Sequence, residues 1–298
     1  MELRHLRYFI AVAEQLHFAQ AAETLGISAP TLTVQIQQIE HALDAQLFSR
    51  TKRSVALTPA GDAFLAEARA TLEQFERAIS IGRRAGRGEL GRVNVGFIGS
   101  AAFSGVMQQQ IRMFRRARPH VYIAAREFPM DQLPVLLDDG RVDIAFVRLP
   151  VELPPSVRTH VLLVDRFCAA LPAEHKLARQ EGPLRSRAFA GERFVVPEQR
   201  FGTLEVARRG RFSADIASAP GGLLAVLTEV SLGAGVAIVP NLLAEVARLP
   251  DVVFRELAGE PITSEVAAVF RKFERAPAVR SLIEQITRTV PDSFERRG

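Results

Sequence analysis

Hydrophobic residues near the N-terminus recur at helical spacing in three segments, which predict helices over Leu3–Ala13, Phe18–Leu25 and Pro30–Leu43. The third segment follows Ser28, a favourable helix cap, and its apolar stripe consists of Leu32, Ile36, Ile39 and Leu43. Its other side carries short hydroxyls and amides with no bulky apolar group: Thr31, Thr33, Gln35 and Gln38. A helix docked through aliphatic side chains, with small hydrogen-bonding groups facing outward, suits the major groove of DNA.

A basic cluster follows this helix. Arg50, Lys52 and Arg53 lie in a segment rich in turn and β-branched residues, and Arg53–Leu57 predicts the second strand of a small hairpin, a wing. Positions 1–91 contain equal numbers of basic and acidic residues, so the position of the basic residues can indicate DNA binding, whereas the net charge of this segment cannot. Three isolated charges would be read as a solvated turn. Beside a helix-turn-helix pattern, we interpret them as contacts to DNA phosphates.

A long amphipathic helix is predicted after the hairpin, with Thr58 as its cap and Pro59 in its first turn. Its apolar residues fall at alternating steps of three and four: Leu65, Ala68, Leu72, Phe75 and Ile79. This is the spacing of a coiled-coil seam. A stripe that packs on its own domain is the commoner use, but the helix is long and runs into a glycine-rich segment. We therefore predict a dimerisation helix followed by a hinge that ends at Gly91.

Beyond Gly91 the pattern alternates between strands and helices, which is typical of a parallel sheet with crossover helices. The predicted strands are Arg92–Ile98, Val121–Glu127, Val142–Val147, Val161–Leu171, Phe194–Val196, Val236–Val239 and Glu265–Arg271. The predicted helices are Val106–Ala117, Leu133–Asp139, Gly202–Phe212, Leu223–Leu232 and Pro277 to about Arg288. Two crossings, near Val161–Asp165 and Thr263–Ala268, suggest two α/β lobes joined by two strands.

Composition narrows the class of protein. The chain has 298 residues and is 48% hydrophobic, yet no apolar run is long enough to span a membrane and no secretory signal is recognisable. We expect a soluble, cytoplasmic protein. The single cysteine, Cys168, lies in an apolar run and predicts a buried, inert thiol. The six histidines are scattered without metal-ligand spacing, and no glycine-rich nucleotide loop follows a strand. Neither a metal, a cofactor nor an enzymatic activity is expected.

The ordered set of N-terminal residues resembles the winged-helix head of LysR-type transcriptional regulators. The set is Leu6, Phe9, Val12, Phe18, Ala21, Ala22, Leu25, Ser28, Pro30, Gln35, Ile36, Ile39, Glu40, Leu43, Leu47, Phe48, Arg50, Leu57, Thr58, Ala60 and Gly61. Three positions depart from the pattern: Ala29 replaces a frequent glutamine, Thr33 replaces a serine, and Asp44 stands where a glycine usually ends the recognition helix. Asp tolerates left-handed backbone geometry, so the helix end should survive.

The resemblance covers essentially the whole chain and implies a division into three parts. Residues 1–58 would form a winged helix-turn-helix, 59–91 a linker helix with a hinge, and 92–298 a two-lobed α/β effector domain like periplasmic binding proteins. Lobe I would hold 92–161 and 268–298, and lobe II 162–267. The implied DNA-contacting residues are Ala29, Pro30, Thr31, Thr33, Gln35, Gln38, Arg50, Lys52 and Arg53.

The resemblance also implies partners. A homodimer, or a homotetramer built as a dimer of dimers, would bind a promoter with interrupted inverted repeats, because paired linker helices bring two recognition helices to half-sites about one helical turn apart. A small molecule between the lobes would change the spacing of the dimers, the bend of the DNA and the contact with RNA polymerase. Two other classes remain: an exported solute-binding protein and a DNA-packing protein. Sequence-specific binding in a gel-shift assay would separate the regulator from the packing protein.

A strand that feeds a helix start at Gly99 and Ser100 offers a hydroxyl and unused N–H groups to an anion, although a plain helix cap explains Ser100 equally well. The segments around Gly99, Asp143–Arg148 and Phe201 resemble the family's branch that senses benzoate, muconate and related acids. On that match, the effector-binding residues would be Gly99, Ser100, Met130, Arg148, Phe201, Gly202, Thr203 and Leu223.

Within that set, Ser100 would bind a ligand carboxylate, Arg148 would supply positive charge and Phe201 an aromatic wall. For Arg148 a surface salt bridge is the alternative. Met130 stands where muconate-sensing members carry a threonine, and Gly222 replaces an acidic residue. The expected effector is therefore an aromatic or unsaturated monocarboxylate.

Overall fold

A computed structural model describes residues 1–51 and 54–293. The chain forms two compact units, Met1–Arg84 and Ala85–Gly298. The first unit contains α1 (Leu3–Gln15), α2 (Phe18–Leu25), α3 (Ala29–Leu43), the antiparallel hairpin of β1 (Phe48–Arg50) and β2 (Val55–Leu57), and α4, which begins at Pro59 and ends at Gly86. This is the predicted three-helix head with a wing and a long linker helix.

Aromatic rings fasten the head together. Phe9 on α1 lies 5.3 Å from Phe48 on β1 and 4.9 Å from Phe64 on α4, measured between ring centroids. Phe18 packs edge-on against Phe48 at 5.8 Å. Such offset and edge-to-face pairs add to the stabilisation from buried apolar area. The rings therefore join three helices and the wing in one core.

The ends of α3 follow local chemistry. At its start, the Ser28 hydroxyl accepts the Thr31 N–H at 3.2 Å, as a helix cap should. At its end, Asp44 adopts a left-handed backbone with φ of 49°, and the N–H groups of Asp44 and Ala45 both donate to the Glu40 carbonyl. The helix thus terminates at Asp44, as expected for a residue that tolerates this geometry.

The helix α4 is 28 residues long, and its apolar stripe divides into two parts. Ala68 is 1% exposed within the core of the head, and Leu65 and Leu72 pack against that core. This part of the stripe therefore packs on its own domain and is not available for dimerisation. Further along the stripe, Phe75 remains 36% exposed and Ile79 is half-buried. The surface left for a second copy is therefore the C-terminal part of the predicted seam.

The second unit is the predicted two-lobed α/β domain. Its strands are β3 (Gly91–Phe97), β4 (Val121–Glu127), β5 (Ile144–Leu149), β6 (Val157–Pro172), β7 (Arg193–Pro197), β8 (Asp215–Gly221), β9 (Ala237–Pro240), β10 (Val252–Glu256), β11 (Thr263–Arg271) and β12 (Asp292–Ser293). Its helices are α5 (Gly99–Ala102), α6 (Val106–Ala117), α7 (Leu133–Asp138), α8 (Phe201–Gly210), α9 (Leu223–Ser231), α10 (Leu242–Val246) and α11 (Pro277–Thr287), with a 3-10 helix at Ser186–Phe189.

The strand β6 connects the lobes. In the first lobe, β3 pairs in parallel with β4 and β5, and β11 lies antiparallel between β5 and β6. The second half of β6 enters the other lobe, where β9 and β10 flank it. A bulge between Val266 and Ala267 shifts the register of β11 against β6 near the crossing. Both crossings predicted from sequence thus lie on β6 and β11. The predicted boundaries of the domains themselves stay predictions.

Candidate functional site: a DNA-facing helix and a pocket between two lobes

The exposed side of α3 differs in one respect from the sequence expectation. Thr31 and Gln38 are exposed, as predicted for groups that face DNA, but Val34 is 49% exposed on the same helix. The expectation of an outer face without a bulky apolar group is therefore wrong. The cause is spacing: Val34 follows buried Leu32 by two positions, which places it on the far side of a helix. An exposed aliphatic group there can contact thymine methyl groups.

Several predicted DNA contacts are engaged within the head. The Thr33 hydroxyl donates to the Ala29 carbonyl at 2.9 Å, and the Gln35 amide donates to the Gln38 side-chain oxygen at 3.1 Å. Ala29 is partly buried against the core, whereas Pro30 is exposed in the first turn. The Gln35–Gln38 pair can exchange this bond for bonds to base edges, because both side chains reach the surface.

Arg50 has a structural role that the sequence did not reveal. The Glu40 carboxylate is almost fully buried, accepts the backbone N–H groups of Leu47 and Phe48, and pairs with the Arg50 guanidinium at 2.9 Å. The guanidinium also lies 4.7 Å from the centre of the Phe18 ring. Arg50 therefore ties the wing to α2 and α3. The other two predicted phosphate contacts, Lys52 and Arg53, lie outside the described residues.

A cavity lies between the two lobes of the second unit. Its walls combine backbone, apolar and polar groups: Ile98, Gly99, Ser100, Glu127, Met130, Phe167, Pro197, Glu198, Gln199, Gly221, Gly222, Leu223 and Pro240. Gly99 and Ser100 begin α5 directly after β3, and Leu223 begins α9 after β8. Ligands of open α/β sheets bind at such strand ends. The Ser100 hydroxyl makes no hydrogen bond to any described residue, so it can serve a ligand.

Four predicted effector residues line this cavity: Gly99, Ser100, Met130 and Leu223. Phe201, Gly202 and Thr203 do not; they begin α8 behind the wall that Phe167 forms. The Phe201 and Phe167 rings are 6.2 Å apart, and a side chain on Gly202 would meet Phe167 carbons at 2.7 Å. The Thr203 hydroxyl is buried without a hydrogen-bond partner among the described residues.

Arg148 is neither a wall of the cavity nor part of a surface salt bridge. Its side chain is 1% exposed and pairs with the equally buried Asp165 at 3.2 Å. The same guanidinium donates to the Ser264 hydroxyl at 2.8 Å and to the Ser100 carbonyl at 3.4 Å. It thus lies behind Ser100 in the interior of the protein.

Two acidic residues in the pocket were missed by sequence reasoning. Glu127 ends β4, and its carboxylate lies so close to Gly99 that an added Cβ would be 2.7 Å from an oxygen. Glu198 follows β7 in the other lobe, and its carboxylate accepts the backbone N–H of Met130. No lysine or arginine of the described chain lines the same cavity, although Arg200 lines a wider opening beside it. No local signal in sequence brings these strand ends together.

Three further features of the described residues concern the cysteine, metal ligands and membrane-spanning helices. Cys168 is buried, and this burial raises the pKa of its thiol far above the usual range, so the thiolate is not accessible. No group of histidine, cysteine and acidic side chains in the described ranges could hold a metal ion. Among the same residues no helix is long and apolar enough to cross a membrane.

Comparison with known proteins identifies the family. The sequence model for the bacterial regulatory helix-turn-helix protein, lysR family, matches residues 3–62, and that for the LysR substrate binding domain matches residues 86–291. The chain therefore belongs to the LysR family of transcriptional regulators. It is a DNA-binding regulator with an effector-binding domain and not an enzyme.

Relatives and solved structures agree with this assignment. The chain is 35% identical over 288 residues to the uncharacterized HTH-type transcriptional regulator YnfL of Escherichia coli (strain K12), covering 94% of this chain and 96% of the relative. It superposes on full-length CbnR complexed with its target DNA with a TM-score of 0.83, at 26% identity over 97% of this chain and 99% of that one. For full-length BenM the TM-score is 0.57, at 27% identity over 97% and 96%.

Proposed function

We propose that this protein binds a promoter sequence-specifically through α3 and that a small carboxylate held between the lobes controls its action. The observation that carries the DNA assignment is the exposed polar side of α3 on a head that matches the LysR-family model over residues 3–62. In the direct contacts, Thr31, Gln35 and Gln38 read base edges, Pro30 and the backbone at Ala29 approach the DNA, and Lys52 and Arg53 bind phosphates.

The active form is a dimer, and two dimers assemble on an interrupted inverted repeat. On the part of the α4 stripe that does not pack on the head, Phe75 is exposed and Ile79 is half-buried. These two residues support pairing with a second copy, because an apolar ridge of this kind is stabilised by a like ridge. The fit to full-length CbnR, a structure solved with its target DNA, supports DNA binding by this chain. RNA polymerase is the partner that such a complex would influence.

The effector is a small monocarboxylate with an aromatic or unsaturated body. The uncommitted Ser100 hydroxyl supports binding of a carboxylate oxygen, while Met130, Phe167 and Leu223 provide apolar walls. The two carboxylates of Glu127 and Glu198 oppose a second negative charge in the same space. A monocarboxylate therefore fits this cavity better than a dicarboxylate does.

A thermal-shift and calorimetric screen tests the effector. Benzoate, other aromatic acids and ring-cleavage dicarboxylates are titrated into the wild type, and into Ser100→Ala and Ser156→Ala. Ser156 is the control, because this serine does not line the cavity and its hydroxyl donates to Asp138. We expect monocarboxylates to bind and Ser100→Ala to weaken them about tenfold, as for loss of one hydrogen bond to a charged group. An equal response from both alanine variants would remove Ser100 from the site.

A gel-shift assay with DNA selected by the wild-type protein tests the head. Thr31→Ala and Gln35→Ala should relax the preference for the selected site, since they remove base contacts. Replacing Lys52 and Arg53 by alanine should weaken all sequences alike and reduce the salt dependence, since they remove phosphate contacts. The same loss of specificity from both kinds of variant would contradict these roles.

A further inference from the structure

Arg148 connects three separate elements of the second unit. It lies on β5, and its guanidinium reaches Asp165 on β6, Ser264 on β11 and the Ser100 carbonyl on α5. The pairing of the strands explains the geometry. Ser264 is opposite Asp165, and Val266 is opposite Arg148, so Ser264 is a diagonal neighbour of Arg148 on one face of the sheet.

This cluster lies where the chain passes between the lobes. The strands β6 and β11 are the two connections, and Asp165 and Ser264 occupy the part of each strand nearest the second lobe. Two residues beyond Asp165, Phe167 already lines the cavity. The carboxylate of Asp165 also accepts the backbone N–H of Arg166 at 2.8 Å. A change in the angle between the lobes therefore acts directly on the partners of Arg148.

Burial of the Arg148–Asp165 ion pair carries a desolvation cost, so a contribution to stability alone does not explain the pair. Burial lowers the pKa of the Arg148 guanidinium and raises that of the Asp165 carboxyl, in both cases against the effect of the opposite charge. The Nε of Arg148 has no hydrogen-bond partner among the described residues. Buried ion pairs commonly stabilise a fold no better than apolar side chains of the same volume, and their best-attested role is to fix one arrangement among several.

On the side of the cavity, Arg148 contacts Ser100, the residue proposed to bind the effector. Ser100 lines the cavity, and the backbone carbonyl of Ser100 accepts from Arg148. Arg148 thus connects Ser100, in the wall of the cavity, to β6 and β11, the strands that link the lobes. Resting on the proposed function of Ser100, we infer that Arg148 is a positioning residue that transmits effector binding to the joint between the lobes through Asp165 and Ser264.

Ser264→Ala is the mildest test, because it removes the 2.8 Å bond and leaves the ion pair with Asp165. Two quantities are measured: the affinity for benzoate, and the change that benzoate causes in the DNase I footprint on DNA selected by the wild type. We expect Ser264→Ala to keep the benzoate affinity within about twofold and to lose more than half of the footprint change. Ser156→Ala, the matched control, should change neither.

Two further variants sharpen the result. Arg148→Lys keeps the charge, but a compact ammonium cannot reach all three partners, so the loss of footprint change should be greater. In a double-mutant cycle, Ser264→Ala should have a smaller effect on the footprint change when Ser100 is already alanine. Additive effects, no effect of Ser264→Ala, or a proportional loss of affinity and footprint change would each overturn the inference.

A control without ligand separates this inference from the proposed effector. If benzoate does not bind the wild type, the proposed carboxylate is wrong, and the inference is then decided by hydrogen exchange in the effector-free protein. The Ala101 and Ala102 N–H groups donate to the Ile98 carbonyl and report on α5. Faster exchange of these amides in Ser264→Ala, and not in Ser156→Ala, would support the connection. Unchanged exchange would overturn it.

Discussion

At the scale of single residues, close backbone approaches decide where a side chain is allowed. Gly61, in the first turn of α4, lies so near the wing that an added Cβ would be 2.1 Å from the Leu47 carbonyl oxygen. That oxygen also accepts the Thr58 N–H at 3.0 Å, so the backbone cannot move away freely. The glycine is thus required by packing between helix and wing, which explains its place in the family-like pattern of the sequence.

Gly61→Ala should lower the free energy of unfolding of the head by about 1–3 kcal/mol, the usual cost of overpacking. Gly82→Ala is the matched control: it lies on the same helix with open space around it, and alanine there should be neutral or stabilise by up to about 1 kcal/mol. Thermal denaturation followed by circular dichroism measures both. Equal shifts in the two variants would contradict the packing explanation.

A single residue, Glu127, also sets the charge beside Ser100 in the pocket. The carboxylate of Glu127 faces the start of α5 beside Ser100, where the proposed effector carboxylate binds. Two unit charges about 4 Å apart repel by about 1 kcal/mol even in bulk water. Glu127→Gln keeps the shape of the side chain and removes this repulsion.

Benzoate should therefore bind Glu127→Gln at least about fivefold more tightly than the wild type, because 1 kcal/mol corresponds to that factor. Isothermal titration at low salt is the measurement, and the gain should shrink as salt increases. Glu152→Gln serves as the control, since this exposed residue does not line the cavity. Weaker binding to Glu127→Gln would instead show that the effector donates to this carboxylate.

At the scale of elements, sequence patterns located the strongly periodic segments. The bounds of α6 and β4 agree with the predicted Val106–Ala117 and Val121–Glu127, because glycine, proline and clear periodicity delimit them. β8 and β10 were missed. Each pairs with one strand only and is half exposed, so its sequence lacks the apolar alternation of a central strand.

The residues of the candidate pocket were predicted only in part, because local sequence reveals some of them and the others depend on tertiary structure. Ser100 and Leu223 each begin a helix directly after a strand, and local sequence reveals such positions. Glu127 and Glu198 reach the cavity only because β4 and β7 end at the same place in space. Arg148 was expected near a ligand, and its burial depends on Asp165 and Ser264, which lie 17 and 116 positions away. Tertiary partners of this kind leave no local pattern.

The helix α4 gives an element-scale prediction about assembly. Its N-terminal apolar residues already pack on the head, so the dimer should depend on Phe75 and Ile79. Burying each apolar side chain is worth about 1.5–3 kcal/mol. Replacing both residues by serine should weaken dimerisation more than tenfold without unfolding the head. Sedimentation velocity over a range of concentrations measures the change.

Glu73→Ser with Arg77→Ser is the control for that experiment. This pair lies on the same stretch of α4 and loses only an exposed ion pair of 3.2 Å, which contributes little. The dimer should persist in the control. A dimer that survives serine at both Phe75 and Ile79 would place the interface elsewhere on the molecule.

At the scale of the second unit as a whole, hydrogen bonds of Glu198 and Gln199 hold one lobe against the other. Glu198 accepts from the Met130 N–H, and the Gln199 side chain donates to the carbonyls of Arg148 at 3.2 Å and Pro150 at 3.5 Å. Met130, Glu198 and Gln199 line the cavity, whereas Arg148 lies behind its wall. A neutral hydrogen bond such as those of Gln199 contributes only about 0.5–1.5 kcal/mol, and one to a carboxylate about 1.5–3 kcal/mol, so a ligand that binds one arrangement better can shift the lobes.

Gln199→Ala should therefore increase the population of open lobes roughly threefold to tenfold in the effector-free protein. Amide hydrogen exchange around Met130 and around Pro150 should accelerate by the same factor, since both segments lose contact with the other lobe when it opens. Gln109→Ala, at an exposed residue remote from the cavity, should leave these rates unchanged. Saturating benzoate should remove most of the difference between variant and wild type, because a ligand touching both lobes replaces the lost bond. Equal exchange rates in Gln199→Ala and wild type without ligand would mean that the lobes are held together by their packing alone.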